Sequence, residues 1–183
     1  MTTVALFGGS FNPPHIAHQM ACLAVLETER VDRILMVPTW KHAFGKHLAP
    51  YEDRIEMCRM AAALFGGLVE VSTIESELGE GESRTYHTLR ALAAREPDAS
   101  FRLLVGADVI AEKDSWYRWD EVVAMAPLIV VGREGVAAGG RHAYQLPAIS
   151  STEVRARLAR GEGAEPLVPR SVLDYIAERG LYR

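Results

Sequence analysis

Short apolar runs recur along the chain at 4–7, 34–37, 68–71, 101–105 and 128–131. They are rich in Val, Ile and Leu and do not alternate with polar residues, the pattern of strands buried on both faces. Between them, apolar positions spaced three and four apart predict helices at 18–28, 51–64, 86–95 and 119–124. Strand and helix alternation implies βαβ crossovers. The expected fold class is therefore α/β, a Rossmann-like doubly wound parallel sheet in three α/β/α layers, with ligands gathered beyond the carboxyl ends of the strands. The stretch 132–141 is rich in Gly and Ala and reads as a loop, the least ordered part of the chain. A short strand at 144–147 and helices at 152–160 and 171–179 follow, the last starting after Pro169 and stopping at Gly180. No internal repeat is visible, and 1–183 reads as a single domain whose C-terminal helices begin near 150.

Composition narrows the partners. A chain of 183 residues that is 49% hydrophobic and 24% charged is long enough for one substantial core. Its net charge of −4 argues against a nucleic-acid surface, so anion sites must be built locally. Cys22 and Cys58 each fall on the apolar pattern of a helix, which suits buried, reduced thiols. Because the chain runs directly into a strand, no secretory leader is expected, and the longest apolar stretch, 122–131, contains Pro127 and is too short to span a bilayer. A cytoplasmic protein with no membrane partner is expected, and isologous self-association is a default expectation only.

The first chemical signal directly follows the first strand: Gly8-Gly9-Ser10-Phe11-Asn12-Pro13-Pro14-His15-Ile16-Ala17-His18. A glycine-rich turn leading into a helix presents backbone N–H groups and a helix dipole to an anion. Glycine allows close backbone approach, and imidazoles three residues apart can donate to one phosphate chain. Alternatives are a surface loop with a helix-starting Pro14, or a zinc pair. The zinc reading lacks a Cys or Glu at ligand spacing. The second signal is Ile149-Ser150-Ser151-Thr152-Glu153-Val154-Arg155, with hydroxyls ahead of a helix. Ser150 and Glu153 read equally well as a capping box, a role compatible with anion binding because other N–H groups stay free.

The first string resembles the GxFxPxHxGH signature of the nucleotidylyltransferase superfamily, matching at Gly9, Phe11, Pro13, His15 and His18, with Ala17 where glycine is usual. The second resembles the ISSTxxR motif that closes the triphosphate site there. The resemblance implies the HxGH-type fold. It also implies that His15, His18 and Arg155 act on the phosphates, with Gly8, Gly9, Ser10, Phe11, Ile149, Ser150, Ser151 and Thr152 binding ATP.

Over nearly its whole length the chain resembles the bacterial nicotinate-nucleotide (nicotinate mononucleotide) adenylyltransferases. Gly106-Ala107-Asp108 is similar to that family's G-x-D ribose turn, although Asp108 could equally cap the next helix. Ser115-Trp116-Tyr117-x-Trp119 resembles the segment whose tryptophan stacks on the pyridine ring, by position Trp116, with Trp119 expected in the core. Thr85 falls where a threonine bonds the pyridine carboxylate or amide, and Arg133 where an arginine lies beside adenine or phosphates; a solvated loop charge is the alternative for Arg133. No independent argument covers Arg84 or Tyr86.

One segment departs from the family. Residues 38–46 lack the usual P-P-H-K/R, and Phe44-Gly45-Lys46-x-Leu48, with Arg54 and Met57, resembles the eukaryotic nicotinamide-mononucleotide enzymes. Lys41, His42, Lys46 and His47 still form a local positive cluster suited to a mononucleotide phosphate, Lys41 as a binding residue and Lys46 as a catalytic one.

The implied reaction is adenylyl transfer from ATP, with Mg²⁺ on its phosphates, to nicotinate mononucleotide. Rivals are nicotinamide mononucleotide as acceptor, another acceptor such as phosphopantetheine, and a non-catalytic nucleotide sensor.

Overall fold

The structure is a computed structural model that describes residues 2–41, 48–79, 84–133 and 145–183, with the backbone alone for Arg133 and Gln145. The strands are β1 (Thr2–Gly9), β2 (Arg33–Pro38), β3 (Val69–Val71), β4 (Ala99–Gly106), β5 (Leu128–Arg133) and β6 (Gln145–Leu146). They form one six-stranded sheet in the order β3-β2-β1-β4-β5-β6, with every pairing parallel. This is the dinucleotide-type order, and it reverses at β1, which pairs with β2 on one side and β4 on the other. The phosphate-type turn and the ribose-type turn read from the sequence follow β1 and β4, respectively. They therefore flank the switch point, where the loops diverge and leave a crevice.

The helices are α1 (Ile16–Thr28), α2 (Tyr51–Ala62), α3 (Ile74–Glu77), α4 (Thr85–Arg95), α5 (Asp108–Ala111), α6 (Trp119–Met125), α7 (Ser151–Ala159) and α8 (Arg170–Arg179). The expected helices sit within a few residues of these. The 51–64 helix ends in a 3₁₀ turn at Ala63–Phe65, and α3, α5 and the 3₁₀ turn Lys113–Ser115 are too short for periodicity to reveal. Gly132 and Arg133 belong to β5 instead of the expected loop, whose remainder lies outside the described residues.

Successive strand side chains point to opposite faces, so each face of the sheet buries its own set. Ala5, Phe7, Ile34 and Met36 pack with Cys22, Val25 and Cys58 of α1 and α2. Val4, Leu6, Leu35 and Val37 pack with Ile74, Leu89, Leu92 and Val122 of α3, α4 and α6. A third cluster joins Ala17 and Met57 to Ile149, Val154, Val172 and Ile176, fixing the C-terminal helices to the start of α1. Ala17, the departure from the usual glycine, is buried there at 4% exposure, so its methyl group is core.

Both cysteines are free and fully buried. Burial pushes the Cys22 thiol up to about 12 and the Cys58 thiol also well above its ordinary value. The thiolate is the reacting form. Native protein at pH 8 should therefore leave both thiols unreacted with a chromogenic disulfide reagent, and denaturant should release both. Rapid labelling of folded protein would contradict this packing.

Candidate active site

The turn after β1 is built around Phe11 and Asn12. Phe11 adopts a left-handed backbone (φ 45°) that turns its ring into the core, edge-on to Phe7 at 5.4 Å and to His18 at 5.0 Å. A Cβ on Gly9 would press on that ring at 3.2 Å, whereas one on Gly8 would meet nothing within 4 Å. The two glycines thus differ: Gly9 admits Phe11, and Gly8 leaves open space above the strand end.

His15 is the N-cap of α1, and its backbone N–H donates to Nδ1 of His18 at 3.1 Å. A neutral His18 must then carry its proton on Nε2, which makes that atom a donor. The two rings lie 3.8 Å apart at 30°. His15 is buried at 2% exposure and His18 is half-buried.

The second signature docks on the first, 138 residues away in the chain. Ser151 Oγ donates to the Pro13 carbonyl at 2.9 Å, and Arg155 Nη1 donates to the Asn12 carbonyl at 2.8 Å. Arg155 Nη2 also reaches Thr152 Oγ1 at 3.3 Å. Ser150 does cap α7, accepting from the Glu153 N–H at 3.1 Å. The reciprocal half of the expected capping box is replaced, because the Glu153 carboxylate accepts from Arg157 one turn on. Ile149 packs in the third cluster.

Three residues given no role from the sequence hold this assembly. The buried Asn12 Oδ1 accepts from the Ala49 N–H at 2.9 Å and from the Tyr182 hydroxyl at 2.8 Å. Arg54, 1% exposed, donates to the carbonyls of Ala49 and Ser10, each at 3.0 Å. Burial pushes its guanidinium below the ordinary value and the Tyr182 phenol above its own. Arg54 had a sequence signal, a charge on the apolar face of α2. Asn12 lay inside the signature, and Tyr182 in the C-terminal segment that shares the family resemblance.

Beyond the strand ends opens a cleft of about 810 Å³, lined among others by Gly8, Gly9, Ser10, Thr39, Gly106, Thr85 and Trp116. The N-cap of α5 is Ala107, so Asp108 is the first helical residue and does not occupy the capping position. Its carboxylate lies where a Cβ on Gly106 would collide with it. Trp116 is half-buried, and Trp119 meets its ring edge-on at 5.4 Å. Trp119 is itself half-buried and not a core residue, because it opens a short helix in which only Val122 is buried. Tyr86 accepts from Arg118 Nη1 at 2.9 Å, and Arg118 also lies over the Tyr117 ring at 5.5 Å. Lys41 is exposed and does not line the cleft, although it flanks Thr39 and Trp40. The Trp40 N–H donates to Glu75 at 3.0 Å. His42, Lys46 and His47 lie outside the described residues, as does the Arg133 side chain.

No cluster of three or more His, Cys, Asp or Glu suited to a metal ion occurs among the described residues. Within them, no helix is long and apolar enough to cross a membrane.

A parallel sheet reversing at a phosphate-type turn defines a nucleotide-binding α/β fold, and residues 6–157 match the cytidylyltransferase-like family model. Similar full-length proteins narrow this further. One from Anaeromyxobacter dehalogenans (strain 2CP-1), named probable nicotinate-nucleotide adenylyltransferase, is 54% identical over 98% of this chain and 96% of its own. One of the same name from Myxococcus xanthus is 39% identical over 98% of this chain and 94% of its own. The chain belongs to the nicotinate-nucleotide adenylyltransferase family, a family of nucleotidyltransferase enzymes. The fold is shared with Plasmodium falciparum nicotinic acid mononucleotide adenylyltransferase complexed with NaAD, at a TM-score of 0.85 and 20% identity, covering 100% of this chain and 98% of that one.

Proposed function

We propose that this protein transfers the adenylyl group of ATP to the 5′-phosphate of nicotinate mononucleotide, giving deamido-NAD and pyrophosphate in NAD biosynthesis. An oxygen of the mononucleotide phosphate forms a bond to the α-phosphorus as the bond from that phosphorus to the pyrophosphate oxygen breaks. A phosphate monoester dianion is already a competent nucleophile, so no general base is needed. The protein's work is positioning, together with neutralising charge on the departing oxygens.

The observation that carries the reading is the docking of Ser151 and Arg155 onto the Asn12–Pro13 backbone beside His15 and His18. In this reading His18 donates from Nε2 to the ATP phosphates, with His15 stacked beside it. The hydroxyls, Arg155 and the first-turn N–H groups of α7 hold the leaving pyrophosphate. Gly106 and Asp108 receive the ribose, and Trp116 and Thr85 the pyridine. Arg133 binds the nucleotide, and Lys41 and Lys46 steer the incoming phosphate. Mg²⁺ would arrive on ATP, held mainly by phosphate oxygens and water, and would neutralise the triphosphate charge. Residues 1–183 act as one domain, with the helices after about 150 completing the triphosphate site.

Pyrophosphate release with Mg-ATP tests this, comparing kcat/KM for nicotinate and nicotinamide mononucleotide. A clear nicotinate preference is expected. Parity or a nicotinamide preference would instead favour the reading suggested by the Phe44-Gly45-Lys46 loop.

A further inference from the structure

The cleft wall is acidic, yet its proposed occupant carries a carboxylate. Glu75, Glu112 and Asp114 line it, and among the described lining residues Arg84 is the only basic one. A negative wall repels a carboxylated ring, so one cation at the ring end has a disproportionate effect on which ring is accepted.

Arg84 is placed for that task. It is the N-cap of α4 and precedes Thr85, so its main chain is extended (φ −131°, ψ 120°) while the next residues present the unbonded N–H groups of the helix start. Its guanidinium carbon lies 6.0 Å from the centre of the Tyr117 ring, the residue after Trp116, and Arg84, Thr85, Trp116 and Tyr117 all line the one cleft. The Tyr117 ring also stacks on His87, at 5.6 Å and 27°. The guanidinium and the candidate stacking face therefore lie at one corner made by the start of α4 and the turn before α6.

We infer that Arg84 is the acceptor-selecting residue, reading the negative charge on the pyridine ring and so favouring nicotinate over nicotinamide. The inference rests on the proposed adenylyl transfer to a pyridine mononucleotide. A guanidinium donates to a carboxylate through charge-assisted bonds that a carboxamide cannot match. The choice of ring is then set at the start of α4.

The test is kcat/KM for both mononucleotides, at saturating Mg-ATP, in wild type, Arg84→Ala and Arg84→Lys, with thermal midpoints measured in parallel. Arg84→Gln replaces Arg84→Ala if the alanine variant folds poorly. Arg84→Ala should lose roughly 10- to 100-fold with nicotinate mononucleotide and far less with nicotinamide mononucleotide, with part of the preference restored in Arg84→Lys. Equal losses with both acceptors, an undiminished preference in Arg84→Ala, or no wild-type preference would each overturn the role of Arg84 alone. Wild-type protein that releases pyrophosphate with neither acceptor would overturn the underlying function, and the role with it.

Discussion

Replacing His18 with alanine is expected to lower kcat for pyrophosphate release a hundredfold or more, while the protein stays folded. The physical reason is specific to the side chain. His18 Nδ1 accepts the His15 N–H at 3.1 Å, which commits the imidazole to donate from Nε2. The ring cannot tilt freely, because Phe11 abuts it at 5.0 Å and His15 at 3.8 Å. A donor fixed before substrate arrives costs no reorganisation during transfer, and deleting such a donor typically costs 10²–10³ in rate. The loss should fall mainly on kcat, since charge on the bridging oxygen grows only as pyrophosphate departs. His18→Gln, which keeps a side-chain N–H, should recover part of the rate. Near wild-type turnover in the alanine variant would remove His18 from the mechanism, and a collapsed thermal midpoint would mean its role is structural.

Arg54→Met should show the largest effect on stability, about 3 kcal/mol or more. Methionine fills similar volume but offers no donors, so the carbonyls of Ser10 and Ala49 lose their guanidinium partners. Each unpaired acceptor costs about 1–3 kcal/mol. For a domain of this size, that corresponds to a fall in Tm of roughly 6 °C or more. Because Ser10 lines the cleft, the variant should also bind ATP less tightly even where it remains folded. Arg54→Lys should retain part of both properties. An unchanged Tm would mean that the chain relaxes enough for water to satisfy both carbonyls.

The layers and the parallel sheet suggested by the apolar runs were readable because a strand buried on both faces needs unbroken apolar residues. The short helices α3 and α5 were not, since four residues complete barely one turn and leave no period. Ser150 was legible as a cap because capping is local: its bond to the Glu153 N–H spans one turn. The partner of Glu153 was less so, since a carboxylate at that position can reach back to the cap or forward to Arg157, and side-chain geometry decides. Trp119 was misplaced in the core because it stands at the first position of α6, a helix in which only Val122 is buried.

The phosphate-type signatures, their positions beyond strand ends and the family they resemble were carried by the sequence alone, because short-range backbone chemistry dictates those residues. Only the tertiary structure decided that Ser151 and Arg155 grip the Asn12–Pro13 backbone, that Asn12 joins Ala49 to Tyr182, and that Arg84 is the basic residue in an otherwise acidic described cleft wall. These contacts join segments tens to more than a hundred residues apart. Such pairs have no period and no local propensity, and they come into being only when the sheet and its crossovers close around them.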